Sequence, residues 1–416
     1  MRRDEVARHQ KARLEGAMVE AVARHGFAAT TVRELVTLAG VSKTTFYDHF
    51  EGKEECFLAT FESIIDELAE EVAATYEGAE DPRERLPKAF ERFMELVVER
   101  PRRVALVTVD SLTLGVAAVS RRERAWETFE ELVRRYFDEV EPGAAVSELV
   151  LRALIAGTTG VVYRRLRSGR AEELPGLVEP LIGWALGYSQ PDSEMVRRAV
   201  SAAARPALRP REVGEGDEVP WEEPPHSPRS RSSLSQRDRI IRAAAKVVVE
   251  RGFDALSIPA ISAAAGISNQ TFYENFSSKR DALLAAHEAL SSLALETSSA
   301  PLTAEAAGPE ALGVAVRSLT EYIAGNPIYA RLAFFELPKA GPPALDRADQ
   351  TLDLLIAFLE PGRVPKGFGG PVPRVALEAT AAGIWFVIQR EIGEGRAESL
   401  PELAPALTRI ALSPLD

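Results

Sequence analysis

The sequence predicts an all-α fold built twice in tandem, and three observations carry that prediction. GFAATTVRELVTLAGVSKTTFYDHFEGKEECFL, from Gly26, aligns without a gap with GFDALSIPAISAAAGISNQTFYENFSSKRDALL, from Gly252, at an offset of 226 residues. Twelve of these 33 pairs are identical, where ordinary residue usage gives about two by chance. The same offset carries Pro101 to Pro327, Ala156-Gly157 to Ala382-Gly383, Gly169-Arg170 to Gly395-Arg396 and Leu174-Pro175 to Leu400-Pro401, so a whole two-part unit is duplicated. Finally, apolar residues recur at helical spacing along both halves, and no stretch sustains the alternation of a strand.

Each half begins with three short helices. The first carries Leu14, Ala17, Met18, Ala21 and Val22 on one face and stops at Gly26; its counterpart carries Ile240, Ala243, Ala244, Val247 and Val248 and stops at Gly252. The second opens with Thr31 and Glu34 at capping-box spacing, with Ser257 at the matching cap. Gly40 and Gly266 end it, and Ser42 and Ser268 are placed to cap the third. Longer amphipathic helices are expected at 54–77, 84–99, 102–117, 122–140, 144–167 and 176–188, and at 373–392 in the second half.

These patterns divide the chain into a helix-turn-helix domain at 1–54, a helical regulatory and dimerisation domain at 55–190, a linker at 191–234, a second helix-turn-helix domain at 235–281 and a second helical domain at 282–416. The linker includes a helical stretch at 194–204, then PALRPREVGEGDEVPWEEPPHSPRSRSSLS, too rich in Pro, Gly, Ser and charge to bury a core. A flexible tether of this length spans about 35 Å, comparable with the roughly 40 Å width of one half.

Composition narrows the function classes. The net charge is −12, yet residues 1–54 carry 9 basic against 8 acidic side chains and residues 229–281 carry 9 against 5. Two mildly basic segments in an acidic chain fit contact with nucleic acid at one end of each half. Cys56 is the only cysteine and its counterpart is Ala282; the charged opening MRRDEVARHQK has no apolar core of signal-peptide length, and no apolar run is long enough to span a bilayer. A cytoplasmic protein with no membrane partner is the expectation. The five histidines (His9, His25, His49, His226, His287) show no metal-ligand spacing, and there is no nucleophile motif or phosphate loop. Neither enzymatic activity nor a cofactor or metal is expected.

A helix, a glycine turn and a short second helix form the skeleton of a helix-turn-helix, whose second helix enters the DNA major groove. Gly26-Phe27, Thr31-Val32-Arg33-Glu34-Leu35, Ala39-Gly40-Val41-Ser42-Lys43, Thr45-Phe46-Tyr47, His49-Phe50 and Lys53-Glu54 resemble the DNA-binding domain of the tetracycline-repressor (TetR) family of transcriptional regulators. Gly252-Phe253, Ala265-Gly266-Ile267-Ser268, Thr271-Phe272-Tyr273-Glu274-Asn275-Phe276 and Lys279 resemble it again. The specific motifs cover about fifty residues of each half. The resemblance implies a ligand-responsive repressor that binds a double-stranded DNA operator and a small-molecule effector and works as a dimer; this chain departs from it by holding two units.

Phe46, Phe50, Phe272 and Phe276 lie four apart on one helical face and are expected to pack on Leu35 or Ile261. The opposite face presents Lys43, Thr44, Thr45, Tyr47 and His49, and in the second copy Asn269, Gln270, Thr271, Tyr273 and Asn275. By resemblance, Tyr47, Tyr273, Lys53 and Lys279 hold phosphates. Basic arms upstream (Arg2, Arg3, Arg8, Lys11, Arg13; Arg229, Arg231, Arg237, Arg239) can add phosphate contacts or serve only solubility.

The copies also differ. Lysine favours guanine acceptors, whereas Asn and Gln pair with adenine, so Lys43-Thr44 and Asn269-Gln270 should prefer different half-sites. Two helices expected at a dimer interface carry Ala156-Gly157 and Ala382-Gly383, then diverge to Thr159-Gly160 and Trp385-Phe386, a small pair set against a large one. A covalent pseudo-dimer reading an asymmetric operator follows, with Ala156, Gly157, Gly160, Ala382, Gly383 and Phe386 at its seam. A homodimer of the fused chain with four recognition helices is an alternative. So is a chain whose second copy, with Pro259 early in its helix, has lost DNA reading and serves dimerisation. Aromatic side chains that could wall effector pockets are Trp126, Tyr163, Trp184, Phe334, Phe335 and Trp385.

Overall fold

The computed structural model describes residues 3–143, 146–190, 192–205, 235–302, 309–359 and 373–412, and among these every regular element is helical. They fall into two compact units, Met1–Pro191 with Val372–Val387, and Asp192–Pro371 with Ile388–Asp416.

In the first unit, α1 (Arg3–Ala29) is broken at Gly26, whose φ of 80° no ordinary residue adopts comfortably. α2 (Val32–Ala39) and α3 (Lys43–His49) follow, then α4 (Lys53–Gly78), α5 (Pro82–Glu99), α6 (Pro101–Thr108), α7 (Val116–Val140), α8 (Glu148–Arg167) and α9 (Val178–Gly187). α4 buries Phe57, Phe61, Ile64, Leu68, Val72 and Tyr76 along one stripe, each worth about 1.5–3 kcal/mol of transfer free energy. The single helix expected at 102–117 is instead divided. α6 stops at Thr108, a 3₁₀ turn covers Asp110–Leu114, and Gly115 at φ 65° redirects the chain into α7. The helix expected from 144 begins at Glu148, where the Ser147 hydroxyl accepts from the Val150 amide.

In the second unit, α10 (Glu194–Ala203) precedes α11 (Gln236–Arg251), α12 (Ile258–Ala265), α13 (Asn269–Asn275), α14 (Lys279–Ser299), α15 (Pro309–Gly325) and α16 (Pro327–Arg331). A π-helical turn at Leu332–Glu336 leads to α17 (Pro342–Leu359), α18 (Arg374–Gly393) and α19 (Leu400–Leu412). The start of the expected linker is corrected by α10. Val196, Ala199 and Ala203 are fully buried, and the helix packs on α15 and α19 as an element of the second unit. Gly313 makes that docking possible, because a Cβ there would collide with the Ala199 carbonyl. Residues 206–234 lie outside the described residues. Among those described, no helix is long and apolar enough to cross a membrane.

Candidate nucleic-acid interface

Local chemistry builds the two heads in the same way. Ser42 and Ser268 accept from the Thr45 and Thr271 amides at 2.9 and 3.0 Å, starting α3 and α13. Gly40 and Gly266 sit in the left-handed region at φ 60° and 64°, closing α2 and α12. Phe46, Phe50, Phe272 and Phe276 are buried together with Leu35 and Ile261. This interior fixes the outward face of each short helix. Thr31 caps α2, but the Glu34 carboxylate does not return to complete the capping box; it meets His25 Nε2 at 3.0 Å.

On the outward faces, Lys43, Thr44, Asn269 and Gln270 are exposed, as are Tyr47 and Tyr273 at 51% and 60%. Both tyrosine rings stand edge-on to the buried Phe46 and Phe272, which orients the hydroxyls outward from a rigid base. The Lys43 ammonium lies 5.8 Å from the Tyr47 ring centre, and Gln270 donates to Glu274 at 3.2 Å. Other candidates are partly occupied. The Thr45 and Thr271 hydroxyls meet the capping serines, the Asn275 amide donates to the Thr271 carbonyl at 2.9 Å, and His49 is half-buried beside Phe50. Arg33, exposed on α2, was passed over in the sequence although the first helix of such a motif crosses the backbone; its counterpart is Pro259.

Lys53, expected to hold a phosphate, has protein partners in this structure. Its ammonium donates to the Phe27, Ala28 and Thr30 carbonyls at 3.1, 3.2 and 3.0 Å, which uses all three of its donors. Lys279 is directed to the same turn of the second copy, donating to the Leu256 carbonyl at 2.7 Å over the Phe253 ring. Both lysines tie the start of a long helix to the turn of the head. The described residues of the basic arms are helical, with Arg239 on α11 beside Arg237. Arg8, Lys11 and Arg13 belong to α1, with Arg13 donating to the Gly40 carbonyl, and Arg237 on α11 donates to the Asn275 carbonyl and stacks on Phe276. Arg2, Arg229, Arg231 and the Arg3 side chain lie outside the described residues.

Behind the first head, helices of the first unit line a partly open cavity of about 120 Å³. Trp126 and Trp184 form part of its wall, whereas Tyr163 does not; Phe334 and Phe335 are core residues of the second unit, and Trp385 packs against Trp126, Ala156 and Phe386. Among the lining residues Arg122 alone is charged, and Thr108, Thr158 and Thr159 are the other polar ones.

Within the same unit, α8 crosses the first part of α18 at contact distance. A Cβ on Gly157 would strike the Ala379 carbonyl, and one on Gly383 would lie 2.7 Å from the Ala153 carbonyl oxygen. The exchange is reciprocal, since the 226-residue offset takes Ala153 to Ala379 and Gly157 to Gly383. Gly160 faces Ala382, and its counterpart Phe386 packs with Ala156, the counterpart of Ala382. Trp184 Nε1 donates to the Thr380 hydroxyl at 2.9 Å, and Arg165 pairs with Glu378 at 2.8 Å, both nearly excluded from solvent.

The profile of tetR-family bacterial regulatory proteins matches residues 16–60 and again 240–286. The HTH-type transcriptional activator FasR of Mycolicibacterium smegmatis is 35% identical over 72 residues, 17% of this chain and 33% of that protein. The uncharacterised HTH-type regulator YerO of Bacillus subtilis is 39% identical over 56 residues, 14% of this chain and 19% of that protein. The chain thus spans a third of the first relative's length and about a fifth of the second's. The fatty acid degradation regulator FadR from Bacillus halodurans overlays at a TM-score of 0.39 with 18% identity, over 42% of this chain and 97% of that one. With both matched segments forming the heads described above, the chain carries the helix-turn-helix domain of the tetR family of bacterial regulatory proteins twice.

Proposed function

We propose that the chain is a ligand-responsive repressor that acts as a covalent pseudo-dimer and reads an asymmetric DNA operator with two unlike recognition helices. The observation that carries this reading is the reciprocal crossing of α8 and the first part of α18. In a two-fold symmetric dimer, residue i of one subunit meets j of the other and j meets i. Here the pairs Gly157–Ala379 and Gly383–Ala153 have that relation inside one chain. The seam is also complementary in size. A Cβ on Gly160 would lie 3.7 Å from the Phe386 ring, whereas a homodimeric seam would set Phe386 against itself and crowd the axis.

The unlike faces of α3 and α13 support the asymmetric operator. Each well-made bidentate base contact is worth about 1–3 kcal/mol of discrimination, enough for Lys43 and the Asn269-Gln270 pair to prefer different half-sites. The route from effector to DNA runs through α4. This helix lines the cavity with Phe61, Ile65, Leu68 and Val72 and begins at Lys53, which grips the turn of the head. A ligand that favours a shifted α4 therefore biases the position of α3.

Selection of sites from a random DNA library should return two unlike half-sites, and a perfect palindrome would refute the pseudo-dimer. On a sizing column the DNA-binding species should run as one 45.3 kDa chain; a four-headed homodimer runs at twice that mass. Substituting Asn269, Gln270 and Tyr273 together by alanine should abolish specific binding, and binding that survives means that α13 does not read DNA.

A further inference from the structure

We propose that the seam between α8 and the first part of α18 is coded by charge as well as by size, so that each copy accepts the other as its partner and rejects its own kind. The code is read at a buried ion pair. Arg165 Nη1 donates to Glu378 Oε2 at 2.8 Å, and the two residues are 7% and 5% exposed. A solvent-excluded pair adds little net stability over apolar residues of the same shape, but a charge left there without its opposite is costly. Such a pair therefore acts on the choice of partner.

The 226-residue offset supplies the other half of the code. It takes Glu148 to Arg374, Arg152 to Glu378 and Arg165 to Glu391. Of the four positions at which α8 and α18 are both charged, these three reverse sign and Arg164–Arg390 keeps it. Two of the reversals are shielded from water in both copies, since Glu391 is 7% exposed and the Arg152 side chain 12%. In a seam between two first copies, Arg165 would therefore meet Arg152 where it now meets Glu378. Between two second copies, Glu391 would meet Glu378. A two-fold axis makes each like-charge encounter happen twice.

The nearest counter-charges are already engaged. Glu130 accepts from Nε and Nη2 of Arg152 at 2.9 and 3.2 Å, and the Glu391 oxygens accept from Arg396 at 2.7 and 2.8 Å. Neutralising a second guanidinium or carboxylate would mean breaking these bonds. Two further contacts favour the same partner. Trp184 Nε1 donates to Thr380 at 2.9 Å and Arg122 stacks 4.7 Å from the Phe386 ring centre; a first copy would offer Leu154 and Gly160 at those positions.

This inference rests on the pseudo-dimer reading for the placement of the seam within one chain. Full chains carrying Glu378→Arg, Arg165→Glu or both are compared by urea denaturation and on a sizing column. Each single variant sets like charges together and should lower the folded-to-unfolded ratio by about a hundredfold or more. The double variant should regain most of that loss, with Glu173, 3.2 Å from Arg165 Nε, keeping the recovery short of complete. When the two single variants are refolded together, opposite charges can meet only between chains, so a species of twice 45.3 kDa should form that neither variant forms alone. Single variants as stable as the wild type, a double variant no better than the single ones, or a mixture that stays single-chain overturns the proposal. If a single variant does not fold alone, its recovery on refolding with the other decides. A wild type of 45.3 kDa without charge rescue sinks this inference alone, whereas rescue in a wild type of twice that mass puts the coded seam between chains and sinks the pseudo-dimer reading.

Discussion

Replacing Glu336 by alanine should loosen the second head from its supporting helices. The Glu336 carboxylate is 2% exposed at the end of the π-helical turn, where it accepts from the Phe253 amide at 2.9 Å. Lys339 donates to both of its oxygens at 3.1 and 3.2 Å, and Arg331 lies 3.8 Å away. Phe253 follows the Gly252 break between α11 and α12, so one carboxylate ties the turn of the head to the body of the same unit. Alanine strands a backbone donor, a loss of about 1–3 kcal/mol, and removes a charge-assisted bond worth about 1.5–3 kcal/mol. Lys339 is 24% exposed and regains water, so the cost stays below that of a fully buried broken pair. The net loss is about 3 kcal/mol, which converts to roughly a hundredfold faster exchange of the Phe253 amide. Native-state hydrogen exchange at fixed pH reads this directly, with urea denaturation as the companion measurement. Exchange within threefold of wild type at unchanged stability would refute the coupling.

At the matching position of the first copy stands Asp110, whose carboxyl burial pushes up to about 7. The folded chain therefore holds this proton more tightly than the unfolded chain, so its contribution to stability is present at acid pH and lost as pH rises from about 4 through 7. Asp110→Asn should flatten that slope and raise stability at pH 8 by on the order of 2 kcal/mol after allowance for partial exposure, as read from urea midpoints at pH 5 and 8. Gly157→Ala drives a Cβ into the Ala379 carbonyl and to 2.8 Å from Trp184, and should cost about 1–3 kcal/mol; Gly183→Ala, with open space around it, should cost nothing in the same thermal melts. Lys53→Met leaves three carbonyls without their donor and should lower stability by about 2 kcal/mol. The salt slope of its DNA binding should not change, because that ammonium holds protein and not phosphate.

The residues legible in the sequence are those whose partners lie within one helical turn. Ser42 with Thr45, Gly40 at the end of α2, and Phe46 with Phe50 follow from spacing alone, and the structure has each in that role. Lys53 was not legible, since its three carbonyls lie 23–26 residues upstream and only the folded turn brings them together. Arg122 was missed because RRER inside a helix reads as a solvated face; burial between Trp126 and Phe386 is a tertiary fact. The docking of α10 left one sign, Gly313 inside an apolar helical run, a residue tolerated there only for a packing reason. What the duplication adds is a second reading of each position. A homodimer must use one residue on both sides of its axis, so it cannot place Gly160 opposite Phe386, or line a cavity with Arg122 in one copy while carrying Ala348 at the matching position of the other. A fused chain can, and these unlike pairs gather at the seam, the cavity and the link between head and body. Surface positions also differ between the copies, but a solvated substitution changes little, whereas each of these pairs changes what one half can pack against or bind. The physical case for two unlike halves therefore rests on the buried differences more than on Lys43 and Asn269.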